Sequence, residues 1–225
     1  MPPGPPLHSL PISETVLTTW GIMLALLLLC GLSTRRLRLD PGRWQVVLEA
    51  VVGAIEDAIA EVLPEHARRV LPLVATLWIF IVIANLAGLV PGLHGPTGDL
   101  SLTAALALLV FLSVHGFGIR IHGLRPYLRH YLEPNPLLLP FHLVSEVSRT
   151  VALAVRLFGN IFSLEMAALL ILLVAGLLAP VPVLLLHVVE ALVQAYIFGM
   201  LALIYIAGGI QSRAPRPATQ KGVTP

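Results

Sequence analysis

Residues 140–180 are apolar almost without interruption, and this run constrains the fold more than any other feature of the chain. At 1.5 Å of rise per residue, ~40 residues make ~60 Å of helix, about twice the ~30 Å hydrocarbon core of a bilayer. Four more apolar runs occupy residues 16–32, 70–89, 100–118 and 182–210. Over the whole chain, 57% of residues are hydrophobic and 12% are charged. A soluble domain carries roughly 25% charged residues, so a water-facing surface cannot be built from this composition. The reading is an all-α membrane protein with about five transmembrane helices in one polytopic domain over residues 16–210. Tails at 1–15 and 211–225 flank it; their proline-rich stretches are expected to be disordered.

Loop charges set the number of crossings. Arg35, Arg36, Arg38, Arg43, Arg68 and Arg69 lie between the first two runs. Arg120, Arg125 and Arg129 separate the third from the fourth, and Arg213, Arg216 and Lys221 follow the fifth. Residues 1–15, 90–99 and 175–182 contain neither Lys nor Arg. Basic loops stay cytoplasmic, so five crossings with the N-terminus outside and the C-terminus inside satisfy every segment. Two crossings by residues 140–180 would put the basic tail outside. That run is therefore expected to pass once, tilted or bent. The fifth run, at ~28 residues and ~42 Å, is over-long as well, so the last two runs predict a long, tilted hairpin turning near Pro180 and Pro182.

The basic residues stand in short loops without interleaved aromatics, so the net charge of +2 reflects membrane orientation and not nucleic-acid binding. The single cysteine, Cys30, cannot form an intramolecular disulfide. Residues 1–15 lack the basic start of a secretory signal, so the first span is expected to be retained. Residues 41–64 predict an amphipathic helix along the cytoplasmic surface: Gln45, Glu49, Glu56 and Glu61 share a broad face, with Val47, Val51, Ile55, Ile59 and Val62 largely opposite. Its acidity fits water or a protein partner better than anionic lipid.

Polar residues inside the last two runs carry the chemistry. Run four holds Glu146, Arg149, Arg156, Asn160 and Glu165; run five holds His187, Glu190 and Gln194. A central arginine costs about 2.5–3.5 kcal/mol on insertion scales, so it needs a partner or a water-filled cavity. Arg149, Arg156 and Asn160, at offsets of seven and four, share one stripe. Glu165, nine after Arg156, points about the opposite way. His187, Glu190 and Gln194, at offsets of three and four, line one face of run five. Such a track can hold a file of water and pass protons. Arg156 keeps its charge at any biological pH, which suits a fixed electrostatic barrier and a transient partner for a carboxylate.

Plainer roles compete for some of these residues. Glu146 and Arg149 are spaced to pair near an interface, and Arg149 also suits a snorkelling anchor. His115 and His142, near span ends, read as interfacial histidines. Asp99 is placed to cap the third helix. Nothing has metal-ligand spacing, no phosphate-binding glycine loop is present, and no cofactor is expected. Ser113 near His115 is the best remnant of a hydrolase, without the rest of the machinery.

Residues 148–160, Ser-Arg-Thr-Val-Ala-Leu-Ala-Val-Arg-Leu-Phe-Gly-Asn, resemble the signature of the a subunit of rotary F-type ATP synthases, whose core is Arg-Leu-Phe-Gly-Asn. Supporting pieces follow in the family's order: Gln45 and Glu49, then Pro-Thr-Gly-Asp-Leu-Ser-Leu-Thr at 96–103, then His187, then Gln-Ala-Tyr-Ile-Phe at 194–198. The resemblance implies a non-catalytic, ion-translocating stator subunit, one copy per complex, in a bacterial inner membrane. Its partners would be a ring of c subunits, peripheral-stalk b subunits and the rest of the F1Fo complex. Arg156 resembles the family's essential arginine between two offset half-channels; Asn160, Glu165, His187 and Gln194 match its channel-lining positions. Glu190 joins them by spacing alone. Thr150 replaces a common proline, and Leu164 a glycine that often precedes the Glu165 position. Outside the resemblance, the alternative is a self-contained, proton-coupled secondary transporter using Glu165, His187 and Glu190.

Overall fold

The computed structural model describes residues 14–34, 42–89, 95–126, 139–176 and 181–211. Within them the chain forms α1 (Glu14–Thr34), α2 (Arg43–Val62), α3 (Ala67–Ala87), a single 3-10 turn (Pro96–Gly98), α4 (Leu100–His122), α5 (Leu139–Ala175) and α6 (Val181–Gln211). Five of these, α1, α3, α4, α5 and α6, are long and apolar enough to cross a membrane. The expected all-α architecture with five spans is the one observed.

The long fourth run is one unbroken helix of 37 residues, ~55 Å at helical rise. It does not fold back on itself within the described residues. Its end is marked by Gly176, whose φ of +83° places it in the left-handed region that terminates helices, and whose N–H reaches the Leu172 carbonyl at 3.3 Å. Pro182 then sits in the first turn of α6, where its missing N–H costs no helical bond. The two long helices pack against each other as the hairpin reading requires. The connection itself, 177–180, lies outside the described residues, as do both tails.

The core gathers around α3 and α6. Ala191, Ala195, Phe198, Ala202 and Ile206 of α6 are buried, as are Val74, Leu77, Trp78, Ile81 and Ala84 of α3. Small residues let the helices approach closely, since in lipid packing and hydrogen bonds hold helices together more than hydrophobic burial does. The Trp78 indole lies where a side chain at Gly199 would stand. Its Nε1 donates to the Tyr196 carbonyl at 3.3 Å, and the two rings stack at 5.8 Å. On α4, His122 bonds through Nε2 to the Ile210 carbonyl at 2.9 Å, closing that end of the bundle.

The amphipathic reading of α2 needs one correction. Ile55 and Ile59 are buried in a cluster with Leu63, Val70, Val74, Leu203 and Ile206. Val47 and Val51, on the same predicted apolar face, stand exposed, because the first half of α2 projects past the helices that cover its second half. Gln211 fastens the covered end by donating to the Val62 carbonyl at 3.0 Å. Helix α1 touches the rest through Ile22 and Leu26 and leaves Leu24, Leu27, Leu28 and Leu29 exposed, a surface suited to hydrocarbon.

Candidate functional site

Arg156 lies in the middle of α5 on its exposed side, with Val155 exposed beside it. Its guanidinium makes no hydrogen bond or ion pair with another described residue. Arg149, on the same predicted stripe, is also exposed, but its guanidinium lies 5.4 Å from the centre of the Tyr205 ring. The predicted pairing of Arg149 with Glu146 is not what forms. Glu146 faces His115 of α4 instead, with Nε2 and Oε2 3.3 Å apart.

Asn160 turns toward α6 and joins the hairpin. Its Nδ2 donates to Glu190 Oε1 at 3.1 Å and to Gln194 Oε1 at 2.7 Å, using both amide hydrogens. His187 and Gln194 are buried, and Glu190 lies between them half-buried. The predicted face of α6 is therefore a single track, and Asn160 is its link to α5. His187 Nε2 and Gln194 Nε2 have no protein partner, which suits them to hydrogen-bond water.

Glu165 stands apart from this link, as its helical angle predicts. Its carboxylate lies in a socket of three glycines between the end of α3 and the start of α4. A Cβ at Gly88, Gly95 or Gly98 would come within 3.2, 2.8 or 3.0 Å of a carboxylate oxygen. The glycines leave room for the carboxylate as it is placed, and none of the three has a positive φ. The 3-10 turn packs against α5 here, and Thr97 at its centre is fully buried.

Asp99 has a structural role. Its carboxylate accepts from the Ser101 N–H at 2.9 Å and the Ser101 hydroxyl at 2.8 Å, capping α4 as predicted. These bonds, with one from the Thr15 hydroxyl, hold its carboxyl below the usual aspartate range and tie the start of α1 to that of α4. Ser113 donates to the Leu109 carbonyl at 2.6 Å, a helix-internal bond unlike that of a nucleophile.

Sequence reasoning missed Asn85. This α3 residue is fully buried and donates through Nδ2 to the Ala191 carbonyl at 3.3 Å, within the stretch of α6 that carries His187, Glu190 and Gln194. Its Oδ1 has no protein partner. The available signal was one amide in an otherwise apolar run, a residue type that membrane helices seldom bury without use.

Along α5, Glu146, Arg156 and Glu165 follow at intervals of ten and nine residues, or ~15 Å and ~14 Å of helix. One carboxylate packs near the end of α4 and the other near its beginning, with the arginine midway. No group of three or more His, Cys, Asp or Glu side chains among the described residues is arranged to hold a metal ion.

Comparison with known proteins matches residues 16–207 to the family described as ATP synthase A chain. ATP synthase subunit a 2 of Pelobacter propionicus is 65% identical, over 97% of this chain and 96% of its own length. ATP synthase subunit a 1 of Hahella chejuensis is 64% identical, over 93% and 89%, and ATP synthase subunit a of Legionella pneumophila 59%, over 90% and 89%. The signature around Arg156 and the five membrane-length helices thus have a common source, and the chain belongs to the ATP synthase A chain family.

Proposed function

We propose that this chain is the ion-translocating stator subunit of a rotary ATP synthase, a multi-pass membrane protein that moves protons along two half-paths kept apart by Arg156. One observation carries the residue assignment: an arginine without an internal partner, on the outward side of α5, midway between two carboxylates at opposite ends of α4. A fixed positive charge repels a proton moving straight from one carboxylate to the other. It also favours the ionised form of any carboxylate brought against it from another chain. A ring of c subunits presenting such carboxylates to the exposed side of α5 would accept a proton from one half-path and release it to the other.

On this reading Glu165, His187, Glu190, Gln194 and Asn160 serve the half-path on the side of the 3-10 turn, with Asn85 as an added member. The basic residues at the opposite end, Arg120 and Arg125, favour that end as cytoplasmic. This puts the N-terminus outside and the C-terminus inside, in a bacterial inner membrane, with peripheral-stalk subunits and the catalytic sector completing the complex. The chain itself contributes conduction and no catalytic centre. The family and the named relatives offer no support for a stand-alone transporter.

The experiment is Arg156→Ala in membrane vesicles that retain the assembled complex. ATP-driven proton pumping should be abolished, and pumping at the wild-type rate would overturn the reading.

A further inference from the structure

Asn85 brings a third helix to the polar track. It is fully buried in α3, and its Nδ2 lies 3.3 Å from the Ala191 carbonyl oxygen. A carbonyl only accepts, so the amide nitrogen is fixed there and Oδ1 is the free end of the side chain. On the other side of α6, Asn160 donates through Nδ2 to Glu190 Oε1 and to Gln194 Oε1. The opposite sense would set the Asn160 oxygen against a Glu190 oxygen. Gln194 therefore spends its oxygen on Asn160, and Nε2 is its free end.

An acceptor on α3 and a donor on α6 are left over, and neither Asn85 Oδ1 nor Gln194 Nε2 has a hydrogen-bond partner among the described residues. The same holds for His187 Nε2. The three side chains are 0%, 1% and 2% exposed, so bulk water does not serve them, and buried polar atoms left unmatched are costly. Their places on the helix bring them together. His187, Ala191 and Gln194 follow at steps of four and three residues, on one face of α6. Ala191, which holds the Asn85 amide, lies ~6 Å along the axis from His187 and ~4.5 Å from Gln194. A water bonded to two atoms spans ~5.5–6 Å between them.

We infer that Asn85 Oδ1, Gln194 Nε2 and His187 Nε2 hold one internal water between α3 and α6, and that Asn85 is the residue that positions it. The Gln194 amide hydrogens exclude a metal ion, which takes acceptors only. A water donates one hydrogen to Asn85 Oδ1 and accepts one from Gln194 Nε2. It keeps one hydrogen and one lone pair for His187, and so matches either tautomer of the ring. The inference rests on the function proposed above only where pumping is the readout.

Electron cryomicroscopy of the assembled complex, at a resolution that shows ordered water, reads the site directly. Density within hydrogen-bond distance of Asn85 Oδ1 and Gln194 Nε2 is expected in the wild type and should be lost in Asn85→Leu, which fills the space without a polar atom. No density there in the wild type, or a direct bond between the two amides, overturns the inference. In vesicles with wild-type amounts of complex, Asn85→Leu should slow ATP-driven proton pumping about threefold or more, the weight of one polar contact between membrane helices. Asn85→Ser, whose hydroxyl bonds water and leaves room for it, should restore part of the rate. Asn85→Leu combined with Gln194→Leu should pump no more slowly than the slower single variant; losses that multiply would overturn the shared site. If Asn85→Leu does not assemble, the wild-type density still decides. Arg156→Ala keeps the two proposals distinct. Loss of pumping there, beside a wild-type rate in Asn85→Leu, overturns the positioning role and leaves the proposed function standing. Normal pumping in Arg156→Ala overturns the function, and the density alone then decides the water site.

Discussion

The indole of Trp78 occupies the space that a side chain on Gly199 would fill, so α3 and α6 are locked together at this point. The adjoining bond from Trp78 Nε1 to the Tyr196 carbonyl fixes the register of the two helices. Gly199→Ala must displace the indole and is expected to destabilise the protein by about 1–3 kcal/mol, as overpacked cores do. Thermal unfolding of the detergent-solubilised protein should show a lower midpoint, with Gly53→Ala unchanged or slightly raised because nothing stands within 4 Å of that position.

The socket around Glu165 predicts a functional cost from an added methyl group. Gly95→Ala brings a Cβ to 2.8 Å from the carboxylate, so the carboxylate must move. ATP-driven pumping should fall toward the level of Glu165→Gln while the complex still assembles. Pumping equal to wild type in Gly95→Ala would show that the position of Glu165 is not critical.

Asn160 is the only polar bridge between α5 and α6 that the described side-chain hydrogen bonds reveal. A double-mutant cycle of Asn160→Ala and Gln194→Ala should give a coupling of about 0.6–2 kcal/mol in thermal stability, the range found for polar pairs between membrane helices. Additive effects would mean that the 2.7 Å bond contributes nothing of its own.

The cap on α4 predicts a pH effect at the end of the bundle where that helix begins. Asp99 has its folded pKa held below the ordinary value of 3.8 by Ser101 and Thr15. Its contribution is therefore complete above about pH 3.8 and is lost as pH falls through the lower, folded value. Unfolding midpoints measured across that acid range should fall more steeply for the wild type than for Asp99→Asn. Parallel curves would remove Asp99 as the cause.

Much of this architecture is legible in one dimension because each feature depends on spacing along a single helix. The apolar runs give the five spans, the loop arginines favour a single passage for residues 140–180, and offsets of three and four gather His187, Glu190 and Gln194 on one face. Asp99 and Ser101 reveal their cap because they stand only two positions apart. What spacing cannot supply is which face of one helix meets which face of another. Glu146 has Arg149 three residues away and His115 thirty-one away, and the packing of α4 on α5 decides for the histidine. Asn85 was missed for the same reason, since its role appears only when α3 lies beside Ala191. The glycines at 88, 95 and 98 read as loop residues until the carboxylate they surround is known, and the uncovered half of α2 follows from where its neighbours end.

The exposed guanidinium of Arg156 bears on the order in which the complex is built. While nothing lies against α5, the bilayer must accommodate a cation on the outside of this chain, at about 2.5–3.5 kcal/mol on insertion scales. On the proposed function, a ring of carboxylates docking there would remove that cost, and part of the affinity for such a ring would then reside in the strain of the solitary chain. Such a chain would gain most from insertion beside a ring already formed, where its outward cation meets a partner at once.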